Sequence, residues 1–209
     1  MADRLEIYNE ALGHLGPTRL TSLVENRPDR HELDAAYEKA IDTVLESGLW
    51  YFALRTQHWT PDEDVEPVFG LRYAYAIPSD YVRLRKISPD EQQIEEDRTF
   101  KREGNFIRSA YSELYVTFVS DDEEFGYDLG KWPTAFASAV AVQLAYKSGL
   151  PITKDRGTKN DLLILSRRQM IEAKRLNAVD EAVQTKPNSS WVTSRLARTS
   201  ISQRRQSSE

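Results

Sequence analysis

Apolar residues recur every three or four positions in two segments near the N-terminus, a spacing that predicts two amphipathic helices. The first is expected over residues 4–15, with Asp3 before its first turn and Gly16 beyond its last. The second is expected to open at Asp29 and to stop at Gly48. Each start has another carboxylate three residues further on, which is typical of a capping pair. The two apolar stripes are Leu5, Tyr8, Leu12 and Leu15, then Leu33, Tyr37, Ile41, Val44 and Leu45.

Between about residues 60 and 120 the pattern changes to a period of two, which is typical of strands. The predicted strands are segments 71–77, 81–87 and 113–120, together with a hairpin in 99–109. A Pro78-Ser79-Asp80 turn joins the first two, and Glu103-Gly104-Asn105 closes the hairpin. Short strands in succession, with no helix between them, predict one small antiparallel sheet.

Helical spacing returns over residues 131–149, where apolar residues occupy nearly every face. A helix that is apolar all round must be surrounded, so this segment is predicted to be the central helix of a bundle. Pro133 suits its first turn, and Gly149-Leu150-Pro151 is expected to end it.

A fourth helix is expected over residues 155–184, with a broken apolar stripe on one side. Basic residues are expected to face away from that stripe. The stripe is Leu162, Leu165, Ala173, Leu176, Val179 and Val183, and the basic residues are Arg167, Arg168, Lys174 and Arg175.

These elements predict the α+β class: an antiparallel bundle of about four helices with an inserted small antiparallel β domain and an extended C-terminal tail. The two helical pairs would pack together although the β domain separates them in sequence. The expected bounds are 1–54 for the first two helices, 55–125 for the β domain, 126–184 for the last two helices and 185–209 for the tail.

Charge divides unevenly along the 209 residues, whose net charge is -5. Residues 185–209 hold five basic residues and one acidic residue, a net +4, which leaves -9 for residues 1–184. An acidic body with a basic tail favours pairing with copies of itself or with an acidic partner, whereas DNA-binding proteins usually have a basic body. No apolar run approaches the length of a membrane span, and the start lacks the apolar core of a signal peptide. The absence of cysteine fits assembly in a reducing cytoplasm.

Aromatic rings are concentrated where the second helix runs out: Trp50, Tyr51, Phe52, His58 and Trp59. Trp50 and Phe52 are predicted to close the end of the bundle where the chain leaves it for the β domain. Trp132 is assigned to the same junction. Each buried ring would contribute roughly 2–3 kcal/mol and so fix the angle between the two parts. Trp59 is left to either the sheet or an interface.

No residue pattern predicts catalysis or a metal site. Three histidines occur, His14, His31 and His58, and the pair Glu10 and His14 alone does not make a metal site. The run Asp121–Glu124 lacks the alternating ligands and central glycine of a calcium loop, which favours a solvated loop. We therefore predict no catalytic, cofactor-binding or metal-ligating residues and no enzymatic activity.

The Ser- and Arg-rich tail has three interpretations: a dispensable disordered end, a nucleic-acid arm, or a segment that folds on a partner. A tryptophan anchor, arginines and low intrinsic order favour the third. The candidate partner-binding residues are Trp191, Arg195, Leu196, Arg198, Arg204 and Arg205.

Several segments, taken in order, resemble one family. They are "EIYNEALGHLG", "RLTSLVE" and "AAYEKAIDTVLESGLWYFALRTQ", followed by "YAYAIPSDYVRLRKI", "EGNFIRS", "ELYVTF" and "WPTAFASAVAVQLAYKSGLPIT". Together they resemble the head-to-tail adaptors of short-tailed bacteriophages, also called tail tubular protein A or head–tail connector proteins. The resemblance covers about residues 5 to 180 and leaves the tail after 185 unmatched.

The resemblance implies a virion protein of the head–tail junction, assembled in the host cytoplasm. Such proteins form a ring, usually twelve-fold, that joins the capsid portal protein to the tail tube or nozzle protein and passes double-stranded DNA through its channel. It further implies that the helices build the ring, that the β part faces the tail, and that the C-terminal segment clamps the portal. An acidic channel wall would let DNA slide.

Two alternatives stay open. One is a head-completion protein that is monomeric until it binds the portal, and the other is a nucleic-acid-binding regulatory module that uses the basic tail.

Overall fold

A computed structural model describes residues 3–93 and 96–179, which contain four α-helices, two short 3-10 helices and six strands. The helices are α1 (Arg4–Leu15), α2 (Pro28–Ser47), α3 (Thr134–Thr153) and α4 (Arg156–Val179). The strands are β1 (Leu54–Trp59), β2 (Tyr73–Ala76), β3 (Tyr81–Ser88), β4 (Lys101–Glu103), β5 (Phe106–Ser109) and β6 (Leu114–Ser120). The predicted α+β class is confirmed at this level.

The strands form two antiparallel three-stranded sheets, so the prediction of one sheet was wrong. Their orders are β1-β6-β3 and β2-β5-β4. The Pro78-Ser79-Asp80 turn joins β2 to β3, yet β2 pairs with β5 while β3 pairs with β6. A turn signal shows only that the chain reverses, and here the chain crosses from one sheet to the other. The predicted β4–β5 hairpin is confirmed, with Gly104 in a left-handed conformation at φ 57°.

The two sheets share one apolar cluster. Alternate side chains of β6 enter it, which is the burial pattern expected of a strand with one face against a core. Cluster members come from β1, β2, β3, β5 and β6: Trp59, Tyr75, Ile87, Ile107, Leu114, Val116 and Phe118. Trp59 therefore belongs to the sheets, which settles the alternative left open by the sequence.

Helix α3 lies against both α1 and α2, and it is buried along most of its length. This explains why it is apolar on nearly every face. It continues through Gly149 and Pro151 to Thr153, so its predicted end was wrong. A Cβ at Gly149 would lie 3.1 Å from Leu162 Cδ1 of α4, which indicates that this glycine permits close helix packing.

The predicted capping pairs are not formed at the starts of α1 and α2, and a polar network connects the two helices. The side chain of Asp3 makes no capping hydrogen bond, and α2 starts at Pro28, one residue before the predicted Asp29. The Tyr8 hydroxyl donates to Asp34 Oδ1 at 2.6 Å, and the Arg4 guanidinium donates to the same atom at 3.0 Å. The predicted ends at Gly16 and Gly48 are confirmed.

The segment that returns from β6 to α3 packs tightly on the end of that strand. Gly126 donates its N–H to the carbonyl of Ser120 at 3.1 Å, and a Cβ there would lie only 2.3 Å from that oxygen. It would also approach Leu45 Cδ1 at 3.1 Å. A glycine is required here because backbone atoms leave no space for a side chain.

Replacement Gly126→Ala is expected to destabilise the protein by about 1–3 kcal/mol, the usual cost of forcing atoms into a packed site. The measurement is the free energy of unfolding in denaturant. Gly13→Ala is the matched control, because nothing lies within 4 Å of the added Cβ on α1. That control should be neutral or stabilising by up to about 1 kcal/mol. Equal effects of the two changes would contradict the packing argument.

Candidate functional site

Three aromatic residues predicted for the junction surround one phenylalanine of α3. The ring centroids of Trp50 and Trp132 each lie 4.9 Å from that of Phe136, in edge-to-face geometry. The ring of Phe52 lies 4.7 Å from it. Edge-to-face packing at this distance is favourable beyond the burial of area. We call these four residues the aromatic junction.

Both indoles of the aromatic junction also have a hydrogen-bond partner. Trp50 Nε1 donates to the carbonyl of Val44 at 2.8 Å, and Trp132 Nε1 donates to the carbonyl of Gly126 at 2.9 Å. Trp50 is 1% exposed and Trp132 is 6% exposed. Each indole thus satisfies its polar atom while its ring stays buried, which fixes its orientation.

The aromatic junction lies where the chain crosses between helices and strands. Trp50 stands between α2 and β1, and Trp132 stands between β6 and α3. Val119 at the end of β6 belongs to the same helical core. The helical core therefore extends to the end of β6, while the cluster between the two sheets is separate from it.

Helix α4 is attached to this crossing by an asparagine that the sequence analysis did not single out. Asn177 donates through Nδ2 to the carbonyl of Leu49 at 2.7 Å and accepts from the N–H of Tyr51 at 3.1 Å. The predicted apolar stripe placed Leu176 and Val179 on the packed side, but they are 45% and 76% exposed. That part of the prediction was wrong, because the hydrogen bonds of Asn177 to backbone atoms, and not the apolar stripe, attach this end of α4.

Carboxylates gather on the surface beside the aromatic junction. Asp80 accepts from Arg55 Nη1 and from Ser120 Oγ, both at 2.7 Å. Burial raises the pKa of Asp121, and the neighbouring carboxylates of Asp42, Asp80 and Asp122 raise it further. We define the acidic junction surface as Asp42, Asp121, Asp122, Glu123 and Glu124.

The opposite charge is found on the side of α4 that faces away from its packed residues. Ile164 is 51% exposed and Ile171 is 68% exposed, and they are seven residues apart on the same side of the helix. Arg167, Arg168 and Arg175 are exposed as predicted, while Lys174 is half-buried. We define the α4 outer face as these three arginines and the two isoleucines, which the sequence analysis had not noted.

The three histidines lie on separate elements. His14 is exposed near the end of α1, His31 is exposed in the first turn of α2, and the exposed ring of His58 on β1 packs on Tyr115 with centroids 4.8 Å apart. Among the residues that the structure describes, no group of three or more histidines or carboxylates is placed to hold a metal ion.

The tail candidates fall outside the described residues: Trp191, Arg195, Leu196, Arg198, Arg204 and Arg205. Within the described ranges, no helix combines the length and the apolar character needed to cross a bilayer. No protein-family model and no curated protein matches the chain.

Replacement Trp50→Ala is expected to destabilise the protein by about 3–5 kcal/mol, because it leaves a cavity against Phe136 and removes the indole hydrogen bond to the Val44 carbonyl, which keeps its bond from Ser47 Oγ. Trp50→Phe keeps an aromatic ring and should cost less. Chemical unfolding measures both. Tyr111→Ala, at a residue 44% exposed, is the control and should have little effect. A Trp50→Ala variant as stable as this control would contradict the buried junction.

The raised pKa of Asp121 predicts a definite pH dependence. A carboxyl group that holds its proton more tightly in the folded state gains stability as the pH falls through its folded-state pKa. Asp121→Asn should therefore raise Tm at pH 7, because it removes a charge that is buried beside other carboxylates. The difference from wild type should shrink as the pH falls through that pKa, and a lower Tm at pH 7 would contradict the assignment.

Asp155 supplies a control of opposite sign. It accepts hydrogen bonds from the hydroxyl of Thr158 and from the backbone N–H groups of Thr158 and Gly157 at the start of α4, and these lower its pKa. Its stabilising effect is present above the unfolded-state pKa and is lost as the pH falls through the folded-state pKa. Asp155→Ala should lower Tm at pH 7, by an amount that shrinks in acid.

Proposed function

We propose that this chain is a structural virion protein, a head-to-tail adaptor whose copies form a ring between the capsid portal and the tail tube or nozzle. The ordered resemblance over about residues 5 to 180 motivates the proposal. The structural observation that carries it is that one chain presents two surfaces of opposite charge, the α4 outer face and the acidic junction surface.

Two surfaces of opposite charge on one chain suit a heterologous contact. In such a contact, one patch of each copy binds a different patch of the next, and repetition closes a ring when the rotation allows it. The α4 outer face supplies arginines around two exposed isoleucines, which is the combination found at protein interfaces. The acidic junction surface supplies carboxylates, and burial, together with the neighbouring carboxylates, raises the pKa of Asp121.

In the proposed function, the aromatic junction holds the helices and the strands in a fixed relation. An adaptor must hold one partner at each end without altering either of them, so its own helices and strands need a fixed relation. The indoles of Trp50 and Trp132 are buried and hydrogen-bonded on either side of Phe136, which supports a rigid connection. In this proposal the four helices form the antiparallel bundle that builds the ring, and the strands face the tail.

The charge of residues 1–184, at -9, supports a conduit in preference to a DNA-binding protein. Phosphate backbones are held by many lysines and arginines, and a negative wall would repel them. Double-stranded DNA would therefore pass through the ring without being retained. The basic segment 185–209 is proposed to bind the portal through Trp191 and its arginines.

Mass measurement of the purified chain, alone and with its cognate portal protein, tests the ring. We expect a closed oligomer with a central hole of duplex width in electron micrographs. Ile171→Glu places a charge on the α4 outer face and should raise the concentration for half-assembly by about tenfold or more, since burying one isoleucine contributes about 1.5–3 kcal/mol.

Val24→Glu is the control, because Val24 is 85% exposed on the connection between α1 and α2. It should leave assembly unchanged. A chain that stays monomeric alone but joins the portal would indicate the head-completion alternative. A chain that stays monomeric in both conditions would contradict the adaptor. Binding to duplex DNA that falls steeply with salt would favour the regulatory alternative.

A further inference from the structure

The turn at residues 67–70 holds an aromatic side chain entirely in solvent. Val68 and Leu71 form an isolated antiparallel bridge, and the N–H of Leu71 donates to the carbonyl of Val68 at 3.0 Å. Gly70 has φ 83°, which supplies the conformation that the turn requires. Phe69 beside it is 104% exposed, and Val68 is 42% exposed. The turn itself does not need an aromatic residue at position 69.

Carboxylates are concentrated in the segment that leads to this exposed ring, while Arg72 lines the same surface depression as Phe69, and Arg108 Nη1 donates to the carbonyl of Glu66 at 3.1 Å. Four carboxylates precede Phe69 within seven positions: Asp62, Glu63, Asp64 and Glu66. We call residues 62–70 the acidic tip. Such a segment is repelled by nucleic acid and by anionic membranes, so its partner should combine an apolar recess with positive charge.

A groove that combines lysines with small apolar and aromatic side chains lies on the helices of the same chain. It has a volume of about 380 Å³ and receives side chains from α2, α3 and α4. Three of its residues are alanine or tyrosine and three are lysine: Ala35, Ala36, Tyr146, Lys39, Lys147 and Lys159. Lys159 Nζ lies 5.6 Å from the centroid of the Tyr146 ring. Glu32 is the one carboxylate that lines it. We call it the lysine groove.

We propose that the acidic tip of one copy inserts Phe69 into the lysine groove of the neighbouring copy. The full exposure of Phe69 shows that it does not fill the groove of its own chain. Burying the ring against Ala35, Ala36 and Tyr146 would remove apolar area from water, while the tip carboxylates would pair with the three lysines. The tip and the groove are different surfaces, so the contact is heterologous and can repeat around a ring.

This contact rests on the proposed function, because it joins copies of one assembly. It is separate from the contact made by the α4 outer face, since the two share no residue. Each can therefore be tested without disturbing the other.

The chain contains no cysteine, which permits a direct test by disulfide trapping. Phe69→Cys and Ala35→Cys are prepared as separate single variants, mixed, and oxidised. The proposal expects a cross-linked dimer in the mixture, in clear excess over either variant alone. The double variant should give a ladder of linked copies under denaturing conditions. Val24→Cys, which replaces Ala35→Cys in the control mixture, should not cross-link above background.

A second measurement uses assembly without cross-linking. Phe69→Ser should raise the concentration for half-assembly about tenfold or more, as expected for losing an aromatic anchor. Because Phe69 is fully exposed in the single chain, the Phe69→Ser variant should fold as the unchanged protein does. Lys147→Glu should weaken assembly as well, and Glu66→Lys in the same chain should restore part of it.

The outcomes separate this contact from the proposed function. Rings that form normally with Phe69→Ser, and no cross-link above the Val24→Cys control, would overturn the tip contact and leave the adaptor standing. Specific cross-links in an assembly that does not bind the portal would support the contact and contradict the adaptor. A chain that is monomeric at every concentration and shows no cross-link would remove both.

Discussion

The edge-to-face packing of Trp50 and Trp132 on Phe136 is the interaction on which the rest of the structure depends. The chain leaves the helices beside the first indole and returns to them beside the second. Loss of either indole would leave a cavity in the helical core. It would also remove the hydrogen bond that the indole donates to a backbone carbonyl there. Elsewhere α2 meets β3 through a hydrogen bond from Arg83 Nη1 to the carbonyl of Glu46, on the exposed surface. An exposed bond of that kind contributes little, so the buried rings set the relation between helices and strands.

Around that neutral interior many charges are paired within the chain, as Arg175 is with Glu172 and Asp122 is with Arg55, but four surfaces carry an excess of one sign. The α4 outer face is positive, the acidic junction surface and the acidic tip are negative, and the lysine groove is positive again. Such an excess is unfavourable within one molecule: burial, and then the neighbouring carboxylates of Asp42, Asp80 and Asp122, raise the pKa of Asp121. In the proposed ring, a second copy supplies the opposite charge.

The features that could be predicted from the sequence are those determined by local pattern. The stripes of α1 and α2, the hairpin around Gly104 and the burial of Trp50 follow from spacing and from side-chain type. The features that could not be predicted depend on partners distant in sequence. Gly149 is typical of a helix end, and only its close approach to Leu162 shows why a glycine lies within α3. The turn at Asp80 is typical of a hairpin, but the two strands that it joins belong to different sheets. Asn177 carries no local signal, because its partners are backbone atoms more than a hundred positions away.

Large apolar side chains that stay outside such an interior call for an explanation of their own. The chain buries Trp50, Trp59 and Trp132 almost completely, which shows that its core accommodates large aromatic side chains. Phe69 and Ile171 remain in water on ordered elements, one in a turn with acidic neighbours and the other on a helix with basic neighbours. Each therefore combines an exposed apolar side chain with neighbouring charge, and the two charges have opposite sign. In the proposed ring, two different anchors give each copy two different contacts, and a ring between two different partners requires that directionality.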